Sequence, residues 1–279
     1  MTALHQDGLL EIAFKRASND KTVLRRQAQR FPLRMTVPMY LDPADPSMAF
    51  LYVQNPTGAV IAGDQLTINV TAERGSRVHV TTQSATKLHA MAGGSGRQLT
   101  TLRVCQDAYL EHIPDILIPQ AGSNFSQLLT VELEDGGCFV GAETIGPGRR
   151  LNDELFQYQQ LDFETRVNLN GELLCVDRLK LNPSQRPLRR AGSFGIHQYL
   201  VTLLVAAPGR DLAALASMID SVLGADPNSC GAAGQLPNGA GVMARILASD
   251  KEAADRARKS AWLAARQMLI GLPLPRERK

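Results

Sequence analysis

QLTINVTA, residues 65–72, alternates apolar Leu66, Ile68 and Val70 with polar Thr67, Asn69 and Thr71. A period of two sends the two sets to opposite faces of an extended chain, so the stretch predicts a half-buried strand. SRVHVTTQ, residues 76–83, repeats the pattern with Val78 and Val80. SQLLTVELEDGGCFVGAETIG, residues 126–146, reads as two strands around a turn at Glu134-Asp135-Gly136-Gly137. FETRVNLNGELLCVDRLKL, residues 163–181, carries Asn170-Gly171, a pair suited to a two-residue hairpin turn. Period two dominates residues 8–207, and no fixed-length repeat runs through them. Many short strands separated by turns fit a sandwich, a barrel or a stacked solenoid, and periodicity alone does not choose among them.

Beyond residue 207 the pattern changes. GRDLAALASMIDSVLGAD, residues 209–226, places Leu212, Leu215, Ile219 and Val222 at helical spacing and stops at Gly224. SDKEAADRARKSAWLAARQMLIGLPLP, residues 249–275, predicts a second helix with Ser249 as N-cap and Glu252 three residues on. Between them, GVMARILAS at 241–249 reads as a strand and ADPNSCGAAGQLPNGAG at 225–241 as a loop. The expectation is a mainly β body over residues 1–207 and a small C-terminal α/β segment over 208–279, packed on the body as one folding unit.

A chain of 279 residues buries a core without disulfide or metal staples. Thirty Lys and Arg against 27 Asp and Glu leave a net charge of +3, which argues against a nucleic-acid partner. Nowhere do eighteen apolar residues follow one another, and the opening has no signal-peptide pattern, so the reading is cytoplasmic. Cys105, Cys138, Cys175 and Cys230 are widely spaced and read as four buried reduced thiols. The five histidines, His5, His79, His89, His112 and His197, show no ligand spacing, and no nucleophile elbow or phosphate-binding loop occurs. His79 falls on the polar side of its strand and reads as a surface or hydrogen-bonded side chain, while His112 shares the face of Leu110 and reads as partly buried.

The anomalies are acids among apolar neighbours. Glu143 stands within CFVGAETIG, a strand apolar on both faces, and Asp177 shares parity with Leu173, Cys175, Leu179 and Leu181. A buried acid costs several kcal/mol unless it is paired, hydrogen-bonded or hydrated. Pairing with Arg149, Arg166 or Arg178 is the ordinary explanation, and a wet interior passage is the alternative. In QNPTGAVIAGDQL, residues 54–66, Gly58 and Gly63 bracket a turn that presents Asp64, which either hydrogen-bonds nearby amides or faces an entrance.

In this order NPTGAVIAGDQLTINV (55–70), VHVTTQSATKLHAM (78–91), AYLEHIPDILIPQAGSNF (108–125) and GAETIGPGRRLNDELF (141–156) resemble the urease accessory proteins UreD, also called UreH. FPLRMTVPMY (31–40) and LPLPRERK (272–279) extend the likeness over nearly the whole chain. Three departures stand out: Gly58-Ala59 for a double glycine, His89 for an aromatic residue, and Asp153-Glu154-Leu155-Phe156 for a GExF pattern. The second and third leave the roles of His89 and Asp153 open.

The resemblance implies a β-helix-like body with a short helical segment and a non-enzymatic role in loading nickel into urease. It implies UreF, the GTPase UreG and the urease apoprotein as partners in a multimeric complex, no permanently bound cofactor, and nickel carried transiently along an internal polar tunnel. Asp64, Thr86, Glu143 and Asp177 align with polar positions on such a path, with Lys87 placed to pair with an acid. A weak, hydrated, carboxylate-lined path suits an ion that must move on, whereas a cage of imidazoles and thiolates would hold nickel firmly. Arg186, Arg189 and Arg190 in RPLRRAGSFG (186–195), together with the C-terminal helices, are the expected docking elements. Two other readings are a structural bridge without metal transit, and a β-solenoid carbohydrate-active enzyme using Glu143 with Asp177. One Trp and five Tyr supply few of the aromatics a carbohydrate site uses.

Overall fold

The computed structural model describes residues 7–275; His5 and the end of LPLPRERK lie outside them. An antiparallel pair, β1 (Asp7–Arg16) and β2 (Thr22–Arg30), opens the chain, followed by β3 (Arg34–Met35) and β4 (Ala49–Gln54). From there the chain coils. One coil runs through β5 (Gln65–Ala72), β6 (Arg77–Thr82) and β7 (Thr86–Leu88), the next through β8 (Gly96–Val104), β9 (Tyr109–His112) and β10 (Leu117–Pro119). A third passes through β11 (Asn124–Leu133) and β12 (Cys138–Ile145) before β13 (Gln160–Leu169) starts again on the first face. Each coil stacks parallel on the one before: β1, β5, β8, β11 and β13 in one sheet, β4, β6, β9 and β12 in the other, with β7 and β10 forming a short third face. The result is a β-solenoid of about four turns, as the resemblance implied.

The ends are closed by antiparallel strands. On the seven-stranded sheet β2 covers one edge and β14 (Glu172–Leu181), hairpinned to β13, covers the other. Asn170 and Gly171 both take positive φ, 51° and 85°, as a two-residue turn matched to strand twist requires. The Glu134–Gly137 turn instead carries the chain from one sheet to the other, so β11 and β12 are not a hairpin. On the ten-stranded sheet β12 is extended by antiparallel β15 (Tyr199–Ala206), β17 (Gly241–Ala248) and β16 (Ser229–Gln235), with α1 (Leu212–Leu223) between β15 and β16 in the chain. The long helix α2 (Lys251–Ile270) follows β17.

Two apolar layers follow from this arrangement. The inward rows of both sheets, among them Leu10, Leu66, Val80, Leu102, Leu110, Phe125, Phe139 and Leu161, pack against one another inside the solenoid. The opposite face of the ten-stranded sheet, with Val140, Val201, Leu203 and Val242, is covered by α1 through Leu215 and Ile219 and by α2 through Ala253, Ala257, Ala261 and Trp262. Alanine-rich spacing lets α2 lie close on the strands.

Three local expectations are corrected. Residues 229–235 form a strand, not part of a loop: seven register pairs tie β16 to β17 although Gly, Ala, Ser and Cys carry no periodic signal. The cap of α2 is Asp250, whose carboxylate accepts from Ala253 N at 2.7 Å, while Ser249 Oγ bonds Asn228 O instead. All four cysteines are free, but only Cys138 and Cys175 are buried; Cys105 is half-buried and Cys230 exposed.

Candidate functional site

Along the inward rows a polar strip interrupts the apolar interior. Register alignment places Glu143 on β12 beside Thr202 on β15 and Arg245 on β17. On the facing sheet Gln98 and Gln127 are neighbours in one row, and Thr165 and Asp177 in the next. Three cavities lie along this strip. The middle one, about 70 Å³, is lined by Thr86, His112, Asp115, Gln127 and Glu143 among others. A cavity of about 40 Å³ shares His112, Pro114, Gln127 and Glu143 with it and adds Thr165, Thr202 and Met243. A third, about 70 Å³, shares Thr82 and Thr86 with the middle one and is walled on its other side by Gly58, Ser84 and Lys87.

Glu143 is the centre of this row. Its Oε1 accepts from Gln127 Nε2 at 2.7 Å, and no cation pairs with it among the described residues. Burial without a counter-charge pushes its carboxyl up to about 7, against the pull of the Gln127 hydrogen bond. His112, on the same face as Leu110 as expected, is pushed down to about 4, chiefly by burial and then by the positive charge available to His79. Around neutral pH the site therefore holds a neutral imidazole and a carboxyl near the midpoint between its two forms.

The other sequence-derived acids lie elsewhere. Asp64 is 2% exposed and its Oδ2 accepts from Ile61 N at 3.0 Å, so it closes its own turn, in which Gly63 holds the positive φ; Gly58 takes its positive φ in the preceding turn, closed on Asn55 O. It is not in the lining of the three cavities. Asp177 points inward but is bound to Arg245 Nη2 at 2.6 Å, across from one sheet to the other. The expected arginines are engaged locally: Arg149 with Glu154, Arg166 with Glu164 and Arg178 with Asp162. So an arginine does neutralise Asp177, but it comes from β17, and Glu143 has none among the described residues. Lys87, at the outer cavity, pairs with no acid among the described residues. His89 is exposed with Nδ1 3.0 Å from Gln120 Oε1, and Asp153 takes a left-handed conformation, φ 57°, after a single 3-10 turn. Arg186, Arg189 and Arg190 stand exposed, without acid partners among the described residues, on a loop anchored by buried Leu188 and Phe194.

A second polar cluster was missed by the sequence reading. Arg266 on α2 is fully buried; its Nη1 donates to Glu111 Oε1 at 2.7 Å and its Nη2 bonds Asp42. Glu111 also meets His79 Nδ1 at 2.7 Å and Tyr109 Oη at 2.7 Å, and the His79 ring stacks between Phe50 and Trp262. Burial alone would raise the Glu111 carboxyl, but the hydrogen bond and charge of His79, then Arg266 and Tyr109, hold it below its usual range. His79 is hydrogen-bonded, as one reading allowed, and buried because α2 covers the face that looked polar. The parity of Tyr109 with Glu111 and the i,i+4 spacing of Trp262 and Arg266 were the only local signals.

Among the described residues no three His, Cys, Asp or Glu side chains converge as metal ligands, and no helix is long and apolar enough to cross a membrane. The sequence profile described as UreD urease accessory protein matches residues 6–279. The chain belongs to the UreD family. Its relatives include Urease accessory protein UreD of Mycolicibacterium gilvum, 35% identical over 95% of this chain and 96% of the relative. That of Natronomonas pharaonis is 31% identical over 98% of this chain and 91% of the relative, and that of Photorhabdus laumondii is 27% identical over 97% and 85%. The motifs that carried the resemblance thus lie in a UreD chain from end to end, and its role is that of a urease accessory protein.

Proposed function

We propose that this UreD chain is a non-catalytic cytoplasmic scaffold that docks on the urease apoprotein together with UreF and UreG and passes nickel along the polar strip between its sheets. The observation that carries the transit reading is Glu143: a half-buried carboxylate with no cation partner among the described residues, hydrogen-bonded to a neutral amide and lining two small cavities together with His112. Such a group gains an attractive charge for a divalent ion, yet one carboxylate with amides, hydroxyls and water does not trap it. Thr86 belongs to the same path. Asp64 lies outside the cavity lining and fixes the turn that carries Gly63, and Asp177 with Arg245 closes the far side of the strip. Arg186, Arg189 and Arg190 offer an exposed positive surface to an acidic partner.

Glu143→Gln keeps the shape and the Gln127 contact while removing the charge. With UreF, UreG, apoprotein and Ni²⁺ supplied, urease activation should fall at least tenfold while pull-down of UreF and apoprotein stays at the native level. Unchanged activation would leave only the bridging role. Native protein that captures neither partner would remove the scaffold reading as well.

A further inference from the structure

Away from the strip, a sulfur and an imidazole meet at the surface. Cys230, at the start of β16, is exposed, and its Sγ lies 3.8 Å from His197 Nε2. The other ring nitrogen, His197 Nδ1, is 3.2 Å from Phe194 O. A carbonyl can only accept, so Nδ1 holds the ring proton and Nε2 directs its lone pair at the sulfur. Metal-binding histidines are commonly fixed in this way, one nitrogen donating to a backbone carbonyl and the other left as ligand. With bonds of about 2.3 Å to thiolate and about 2.0–2.1 Å to imidazole, a tetrahedral ion spans its two ligands at about 3.5 Å. Rotation of an exposed cysteine closes the few tenths that remain. Gly231 and Ala232, next in the strand, are small and exposed, so access is open. Cys230 aligns with Leu247 and Ala232 with Arg245, which puts the thiol on the same face of the sheet as the Arg245 end of the strip.

We infer that Cys230 and His197 form a two-ligand surface site for a single borderline divalent cation of the Co²⁺, Ni²⁺ or Zn²⁺ class. A thiolate and an imidazole select these ions over Mg²⁺ and Ca²⁺, and with water in the remaining positions the ion exchanges readily. Binding displaces the thiol proton, so affinity rises with pH. The inference stands whether or not an ion travels past Glu143.

The test is titration of the full reduced chain with Co²⁺, read by the thiolate-to-cobalt charge-transfer absorption in the near ultraviolet. One equivalent should develop the band in the native chain and in Cys105→Ser. Cys230→Ser should lose it, and His197→Gln should weaken Co²⁺ binding at least tenfold, with unchanged far-ultraviolet circular dichroism in both. Absence of the band in the native chain, its survival in Cys230→Ser, or undiminished affinity in His197→Gln would each overturn the site.

Discussion

Glu143 and His112 line the same small cavities and are displaced from their ordinary ionisation in ways that oppose each other. Between about pH 4.5 and 7 the folded chain holds a proton on Glu143 that the unfolded chain has released, so this group's contribution to stability falls as pH rises through 7. Between about pH 4 and 6.5 the unfolded chain protonates His112 while the folded chain does not, so that contribution is lost as pH falls. Each slope is about 1.4 kcal/mol per pH unit where fully developed, and over their shared window they cancel. Glu143→Gln removes one of them. Urea-unfolding free energies of the variant should then climb with pH between about 4.5 and 6.5, where the native chain stays flat. At pH 8 the variant should exceed the native chain by about 1–3 kcal/mol. A variant whose pH profile parallels the native one would mean that Glu143 is not held protonated by burial. Glu143 was legible because an acid in a strand apolar on both faces violates a local rule. What the sequence did not carry was the absence of a partner, which depends on which arginines lie across the sheets.

At the scale of elements, local chemistry decides what can be read in advance. The β13–β14 hairpin is written in two residues, Asn170 and Gly171, because only they accept the positive φ that joins strands of native twist. A Cβ on Gly171 meets nothing within 4 Å, so the cost of Gly171→Ala is conformational alone. It should be about 1 kcal/mol, seen as a drop of about 2 °C in Tm, with the strands retained; no drop at all would contradict a φ of 85° at this position. β16 shows the reverse case. Its small residues predict nothing, and it is a strand because β17 pairs with it and because Asp220 Oδ1, on α1, accepts from Ala233 N at 2.9 Å. That bond also caps an amide an edge strand would otherwise leave open to another chain. The helix cap slipped by one residue for a comparable reason: Ser249 and Asp250 can both cap, and the carboxylate wins while the serine hydroxyl turns to Asn228.

Across the whole molecule the solenoid escaped a repeat search because its coils differ in length: Gln65, Arg97, Ser126 and Asp162 align across the seven-stranded sheet at intervals of 32, 29 and 36 residues. Period two gave the strands, whereas their stacking rests on pairings between residues far apart in the chain, which no local pattern encodes. Arg266 is the extreme instance. It joins α2 to Asp42, 224 residues earlier, and to Glu111 on β9, so a single guanidinium fixes the C-terminal helix to a loop that precedes the first full coil. Two buried acids rely on it, and among the described residues His79 is the only other basic side chain bonded to either of them. Arg266→Met keeps the apolar stem and abandons both carboxylates, which should cost about 3–5 kcal/mol in urea unfolding. Adding Asp42→Asn and Glu111→Gln removes the stranded charges, and the triple variant should recover most of that loss. If the single change costs less than about 1 kcal/mol, or the triple is no more stable than the single, charge balance is not what holds α2 against the ten-stranded sheet. The layer of Ala253, Ala257, Ala261 and Trp262 would then hold it without help.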